Sequence, residues 1–225
     1  KSSQSLDQTN GGILVDGSLT TKTDAAANKA EVKANSLLAA NASSMTEKAA
    51  LVGATGSSSV LTVNAGSKLL IVGGKANDTV KIVSDFKGAG SAIDSTSWSG
   101  ANLTTDSKLL TANAGTLTSG AYDVTLSQNS TRSIFPKLDK NMAGLVDGMV
   151  RQIGLDPMSE NYGQRFVSRA VSDSYIGSNN TKEAAATIEG AAKMAFAGAA
   201  PQMGMNLANA AGNIAGLRNS LSAAP

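Results

Sequence analysis

Apolar positions follow two different patterns along this chain, and the change falls near residue 136. Before it, short runs rich in Val, Leu, Ile and Thr recur: Val60-Leu61-Thr62-Val63, Lys68-Leu69-Leu70-Ile71-Val72, Thr79-Val80-Lys81-Ile82-Val83, Lys108-Leu109-Leu110 and Tyr122-Asp123-Val124-Thr125-Leu126. Asn64-Ala65-Gly66-Ser67, Gly73-Gly74 and Asn113-Ala114-Gly115 punctuate them, so each run reads as a short strand ended by a turn. Upstream, Ile13-Leu14-Val15, Val32 and Leu37-Leu38 are similar apolar pieces among Gly, Asn, Asp and Thr. The alanines between Ala25 and Ala50 would tolerate a helix, but Ala30, Val32 and Ala34 alternate, and the stretch is assigned to strand.

After Ile134-Phe135-Pro136 the period becomes helical. Leu138, Met142, Leu145, Val146, Met149, Val150 and Ile153 recur at helical spacing, which predicts a helix ended by Gly154 and Pro157. A second helix is expected from Glu160 to Val171, burying Phe166, Val167 and Ala170. A third follows the loop Gly177-Ser178-Asn179-Asn180, with Asn180 as N-cap and Glu183 in capping-box position, and runs to about Gly198. Pro201 interrupts it, and Met203 to Leu221 continues in small residues.

Many short strands with no helical period between them fit either a β-sandwich or a stacked solenoid. Composition favours the solenoid: aromatics are 4% and charged residues 16%, the remainder being dominated by Ala, Gly, Ser, Thr and Asn. A narrow coil can be filled by Val, Ile, Leu and Ala, with Gly or Asn taking positive φ at its corners. The expected fold is mainly β with an α-helical tail: a right-handed parallel β-helix over about residues 10 to 130, followed by helices over about 137 to 222. The expected divisions are a solenoid at 1–136 with its last rungs at 78–136, a helical subdomain at 137–180 and a terminal linker helix at 181–225.

The chain has no Cys and no His, so the commonest general base and the commonest transition-metal ligand are both missing. Its net charge is +2, with Lys and Arg scattered singly, which leaves no basic stripe for nucleic acid. No cofactor, no metal and no catalytic residue is expected. A carbohydrate-cleaving β-helix would need carboxylates converging on one face. Asp78, Asp85, Asp94, Asp106 and Asp123 are the candidates, but most adjoin Gly, Asn, Ser or Thr, where Asp makes Asx-turns. Trp98 and Tyr122 could stack on a sugar; as rare large residues near the end of the strand region they are assigned to cap its core. Met194 to Leu217 carries no charge, yet Gly198, Gly204, Gly212, Gly216, Gln202, Asn206, Asn209 and Asn213 make it weakly hydrophobic. A slim amide-bearing helix suits a polar barrel lumen better than lipid.

Arg132-Ser133-Ile134-Phe135-Pro136, then Gly163-Gln164-Arg165-Phe166-Val167-Ser168-Arg169-Ala170, then Thr187-Ile188-Glu189-Gly190-Ala191-Ala192-Lys193-Met194-Ala195 and Gly198-Ala199-Ala200-Pro201-Gln202-Met203 resemble the passenger-to-barrel junction of adhesin-like type V autotransporters. The resemblance spans roughly Asp78 to Leu221, since Asp78-Thr79-Val80-Lys81-Ile82-Val83 through Ser127 also looks like the last rungs before such a linker. It implies a secreted or surface-displayed passenger end, with autochaperone-like last rungs and a terminal helix threading an outer-membrane β-barrel in cis. It further implies that Asn206, Asn209 or Asn213 could serve as a site of linker self-cleavage. A free-standing adhesin or glycan-binding module, binding a host surface or another copy of itself, is the alternative, and a β-helical polysaccharide-degrading enzyme is a third.

Overall fold

The structure, a computed structural model, describes residues 3–6, 12–21, 29–54, 58–118, 120–172, 186 and 188–190. The strands are β1 (Ser3–Leu6), β2 (Gly12–Val15), β3 (Leu19–Thr20), β4 (Lys29–Val32), β5 (Leu37–Asn41), β6 (Leu51–Val52), β7 (Val60–Val63), β8 (Lys68–Val72), β9 (Thr79–Ser84), β10 (Ala92–Ile93), β11 (Leu103–Thr105), β12 (Leu110–Ala114) and β13 (Tyr122–Gln128). The helices that follow among the described residues are α1 (Thr131–Ile134), α2 (Lys140–Gln152) and α3 (Tyr162–Ala170).

Among the described residues the strands form three sheets, the first two wholly parallel and the third mixed. The first contains β1, β4, β7 and β10, the second β2, β5, β8 and β11, and the third β3, β6, β9, β13 and β12, so successive trios visit the three sheets in the same order. Lys29 pairs with Val60 and Leu37 with Lys68, so the first and second sheets advance by the same length of chain in one circuit. That step lies in the sequence as an echo: Val32-Lys33-Ala34-Asn35-Ser36-Leu37-Leu38 is followed by Val63-Asn64-Ala65-Gly66-Ser67-Lys68-Leu69. Asn35 and Gly66 hold φ of 59° and 74°, the left-handed corner geometry that Asn and Gly tolerate best.

Inward side chains stack in register. Leu38 lies on Leu69, and Ala40 on Ile71, all at most 1% exposed. Each such Leu or Ile contributes about 1.5–3 kcal/mol on leaving water. Buried hydroxyls line the corners between sheets. Ser67 Oγ donates to Lys33 O at 2.9 Å and Ser97 Oγ to Asn64 O at 2.6 Å. At another corner Thr21 Oγ1 and Ser59 Oγ lie 2.9 Å apart. Corner carbonyls removed from water need such partners, which gives the abundance of Ser and Thr a structural reason.

Two sequence expectations change in detail. The run at Lys108 starts its strand only at Leu110, because Lys108 and Leu109 lie in a turn, with Leu110 N donating to Ser107 O. The run at Tyr122 does not continue the parallel pairing: β13 lies antiparallel between β9 and β12. The first helix is found as α2, capped by Asp139 through Asn141 N and Met142 N, and the second as α3, capped by Asn161 through Gln164 N. The short α1 before Pro136 has no counterpart among the expected elements. Most of the third expected helix, with its Asn180 and Glu183 cap, lies outside the described residues; Ile188 to Gly190 are helical, and Ile188 is fully buried.

Candidate functional site: the closing turn and the helical strap

Two features distinguish the last circuit from those before it. The first is the β12–β13 hairpin, which fills the third sheet from both sides of β13. A bulge where Tyr122 pairs with Val83 and Asp123 with Lys81 lets Ile82 and Val83 both point inward, at 0% and 2% exposure. Tyr122 is brought onto Trp98, with ring centroids 5.7 Å apart and planes tilted by 38°. Both rings are almost fully buried, and Tyr122 Oη donates to Trp98 O at 2.6 Å. Burial pushes the Tyr122 phenol from its ordinary 10.0 up to about 12. Trp98 sits at φ 51°, and its Nε1 has no hydrogen-bond partner among the described residues. A bulky residue in that backbone region is held there by its surroundings, here the Tyr122 hydroxyl on its carbonyl and Ser67 O on its N–H.

The second feature is the helical segment, which runs as a strap along the corner between the second and third sheets. At the third circuit Gly74 N donates to Leu155 O at 2.7 Å, Leu155 N to Gly74 O at 2.8 Å and Ala76 N to Val150 O at 3.2 Å. A Cβ on Gly73, at φ +68°, would overlap Leu155 O, and one on Gly74, at φ +106°, would overlap Leu126, so glycine is required at both positions of this corner. At the second circuit Ser43 Oγ donates to Asp156 Oδ2 at 3.1 Å. Above the last circuit Asp147 Oδ1 accepts from Thr131 N at 2.9 Å and from Thr131 Oγ1 at 2.6 Å, while Gln128 Nε2 donates to Asp147 O at 3.1 Å.

The loop that carries Leu155 is held by α3. Ser168 Oγ accepts from Asp156 N at 2.7 Å, Gln164 Nε2 donates to Gly154 O at 3.1 Å and Arg165 to Ser159 O at 2.9 Å. Ala143, Val146, Val150, Val167 and Ile188 join the same hydrophobic cluster as Leu69, Ile71 and Leu126. Strap and strands therefore share one core.

The candidate aspartates are scattered. Asp78 and Asp106 lie at the corner between the second and third sheets, where they accept from Lys75 N and Gly73 N. Asp85 follows β9 at φ 64°, and Asp94 follows β10, where hydrogen bonds from the Thr96 hydroxyl and backbone hold its carboxyl below the usual 3.8. Asp123 faces outward on β13. Among the described residues no three His, Cys, Asp or Glu side chains are grouped to hold a metal ion. A cavity of about 300 Å³ near the first circuit, lined by Leu19, Thr21, Val32, Leu51, Leu61 and Phe86, is mainly apolar; Glu31 at its wall accepts from Asn64 Nδ2 at 2.8 Å. Asn206, Asn209 and Asn213 lie outside the described residues. No described helix is long and apolar enough to cross a membrane.

The strap and the hairpin were not visible as a site in the sequence. The local signal of the strap was the pair Gly73-Gly74. No family model, no curated protein and no solved structure matches this chain.

Proposed function

We propose that this chain is the closing end of a right-handed parallel β-solenoid, part of a secreted or surface-displayed autotransporter-type passenger, and that its role is non-enzymatic. In this reading the last rungs, about 78–136, cap and nucleate the stack, with Trp98 and Tyr122 as the core of the cap. Residues 181–225 form the linker toward an outer-membrane barrel in cis. The mechanism is physical: each circuit buries apolar area on its neighbour, so stacking outside a membrane biases an emerging chain outward without ATP.

The observation that carries the reading is the reversed strand β13, which closes the third sheet and seals Trp98. A template that must start stacking from the last-made end needs one circuit that is stable before its neighbours arrive. The hairpin is local in sequence and forms early relative to contacts that span a whole circuit. The uncharged, amide-bearing stretch from Met194 to Leu217 suits a polar lumen.

The test is to place the chain ahead of an outer-membrane barrel translocator in a Gram-negative host and to measure surface exposure by protease shaving. Trp98→Ala with Tyr122→Ala should leave the passenger degraded or stalled while the barrel still inserts. Equal display of the variant and the parent would contradict a nucleating cap.

A further inference from the structure

We propose that β13 is an end stop: wedged between β9 and β12, it breaks the level rim that the fourth circuit would otherwise present, and so keeps copies of this chain from stacking end to end. The inference stands on strand topology and does not depend on how the chain is secreted.

The first circuit has a level rim. β1 lies beside β4, β2 beside β5 and β3 beside β6, so their outer edges stand at one height. Among the described residues no strand pairs with those edges. Leu19 heads the inward column Leu19, Leu51 and Val83, yet it is 43% exposed while the other two are buried. Unpaired edges around exposed aliphatic side chains are a template for further strands. Were the opposite end of the stack equally level, a second copy could seat its first circuit there, and a head-to-tail contact of that kind repeats without closing.

The opposite end is not level. β10 and β11 follow the third circuit by one strand each, whereas the third sheet continues by two, β13 and then β12. Its rim therefore stands about one strand spacing, roughly 4.8 Å, beyond the other two. A copy seated in register on β10 and β11 would place its β3 where β12 already lies, and a copy seated on β12 would leave β10 and β11 bare.

The displaced strand is β12. Leu110 follows Val80 after the same number of residues that separates Ala92 from Thr62, its partner one circuit earlier. β12 thus reaches the third sheet when the strand that continues β9 is due, with Leu110 buried and Thr111 exposed to suit that place. β13 occupies the place instead. Gly120, at φ +75°, lets it enter: the chain there passes so close to the end of β9 that a Cβ would overlap Phe86 O, and Phe86 N donates to Gly120 O at 3.3 Å.

Because the chain has no Cys, Lys81→Cys with Thr111→Cys reports the wedge. Lys81 pairs with Asp123 and Thr111 with Ser127, so β13 keeps the two apart by two strand spacings, roughly 10 Å, beyond the roughly 7 Å a disulfide spans. The folded double variant should stay unbridged and, like the parent, monomeric in sedimentation velocity. Adding Gly120→Val should exclude β13 and let β12 fall back on β9; the bridge then forms within one chain, seen by mass spectrometry, and oligomers grow with concentration. Leu19→Asp in that background should abolish them, because it puts a charge into the rim that the next copy covers. Oxidative refolding of the double variant provides the bridged chain without Gly120→Val, and far-UV circular dichroism checks the fold of each. A parent chain that itself assembles through Leu19 would overturn the proposal. So would a bridged chain that stays monomeric, oligomers indifferent to Leu19→Asp, or failure of the bridge to form by either route.

Discussion

The second and third sheets are laid down by the same circuits yet treat their outer faces differently. In the second, β5 and β8 read Leu37-Leu38-Ala39-Ala40 and Leu69-Leu70-Ile71-Val72, with no alternation. In the third, β13 reads Tyr122-Asp123-Val124-Thr125-Leu126-Ser127, inward and outward in strict turn, and its burial alternates to match. Alternation marks a face meant for water; a continuous apolar run marks a strand that needs cover on both sides. The difference extends to how each sheet ends. The second stays parallel to its last strand, whereas the third is closed by a reversed hairpin and bordered by the strap.

Substitutions can break or sharpen this contrast. The largest effect is expected at the closing turn: Trp98→Ala empties the biggest fully buried side chain and should lower unfolding free energy by about 3–5 kcal/mol in urea titration. Within the second sheet, Leu69→Ala should lose about 2–5 kcal/mol, while Leu70→Thr, one residue away but outward, should stay within about 0.5 kcal/mol for the monomer. Equal losses at the two positions would show that the outer face is covered within a single chain. Gly74→Ala forces a side chain into Leu126 and into a positive-φ position, and a loss of about 1–3 kcal/mol is expected. If strap and strands are one unit, their circular dichroism and fluorescence transitions should shift together.

Smaller effects are expected at polar contacts. Asp147→Asn keeps the shape but removes the charge that accepts from Thr131, with an expected loss of about 1–2 kcal/mol. Tyr122→Phe leaves the buried Trp98 carbonyl without its hydroxyl donor and should lose about 1 kcal/mol. The pH dependence at this residue has a definite sign. The folded phenol titrates near 12 against 10.0 for an ordinary Tyr, so the unfolded chain gives up this proton first as pH rises. The contribution is complete below pH 10 and disappears between pH 10 and 12. Parent and Tyr122→Phe chains compared by thermal melting across that window should converge in stability as the pH rises.

Strand positions were largely legible because short apolar runs between Gly, Asn and Ser need only local rules. Val60 to Val63 and Lys68 to Val72 are strands with the bounds their runs suggest. The helices were legible from their period, but the caps that fix the starts of α2 and α3, Asp139 and Asn161, were not singled out in the sequence. Strand direction was not legible: Tyr122 to Leu126 alternates equally well whether it runs parallel or antiparallel, and only the hairpin connection and the bulge opposite Val83 decide it. The strap could not be read either. Its pairing joins Gly74 to Leu155, with β9 to β13 and α2 lying between them in the chain, through backbone atoms that any sequence carries. The only local sign was a pair of glycines. Trp98 and Tyr122 stood out by rarity, but their mutual contact depends on that same unreadable reversal.

Native-state hydrogen exchange read strand by strand by mass spectrometry tests most directly whether the stack is stabilised from its closing end. The expected result is slowest exchange in β8, β9 and β13 together with α2, and progressively faster exchange toward β2 and β3. Fastest exchange in β13, or strap helices that open independently while β8 and β9 stay protected, would contradict a closing turn that holds the stack together.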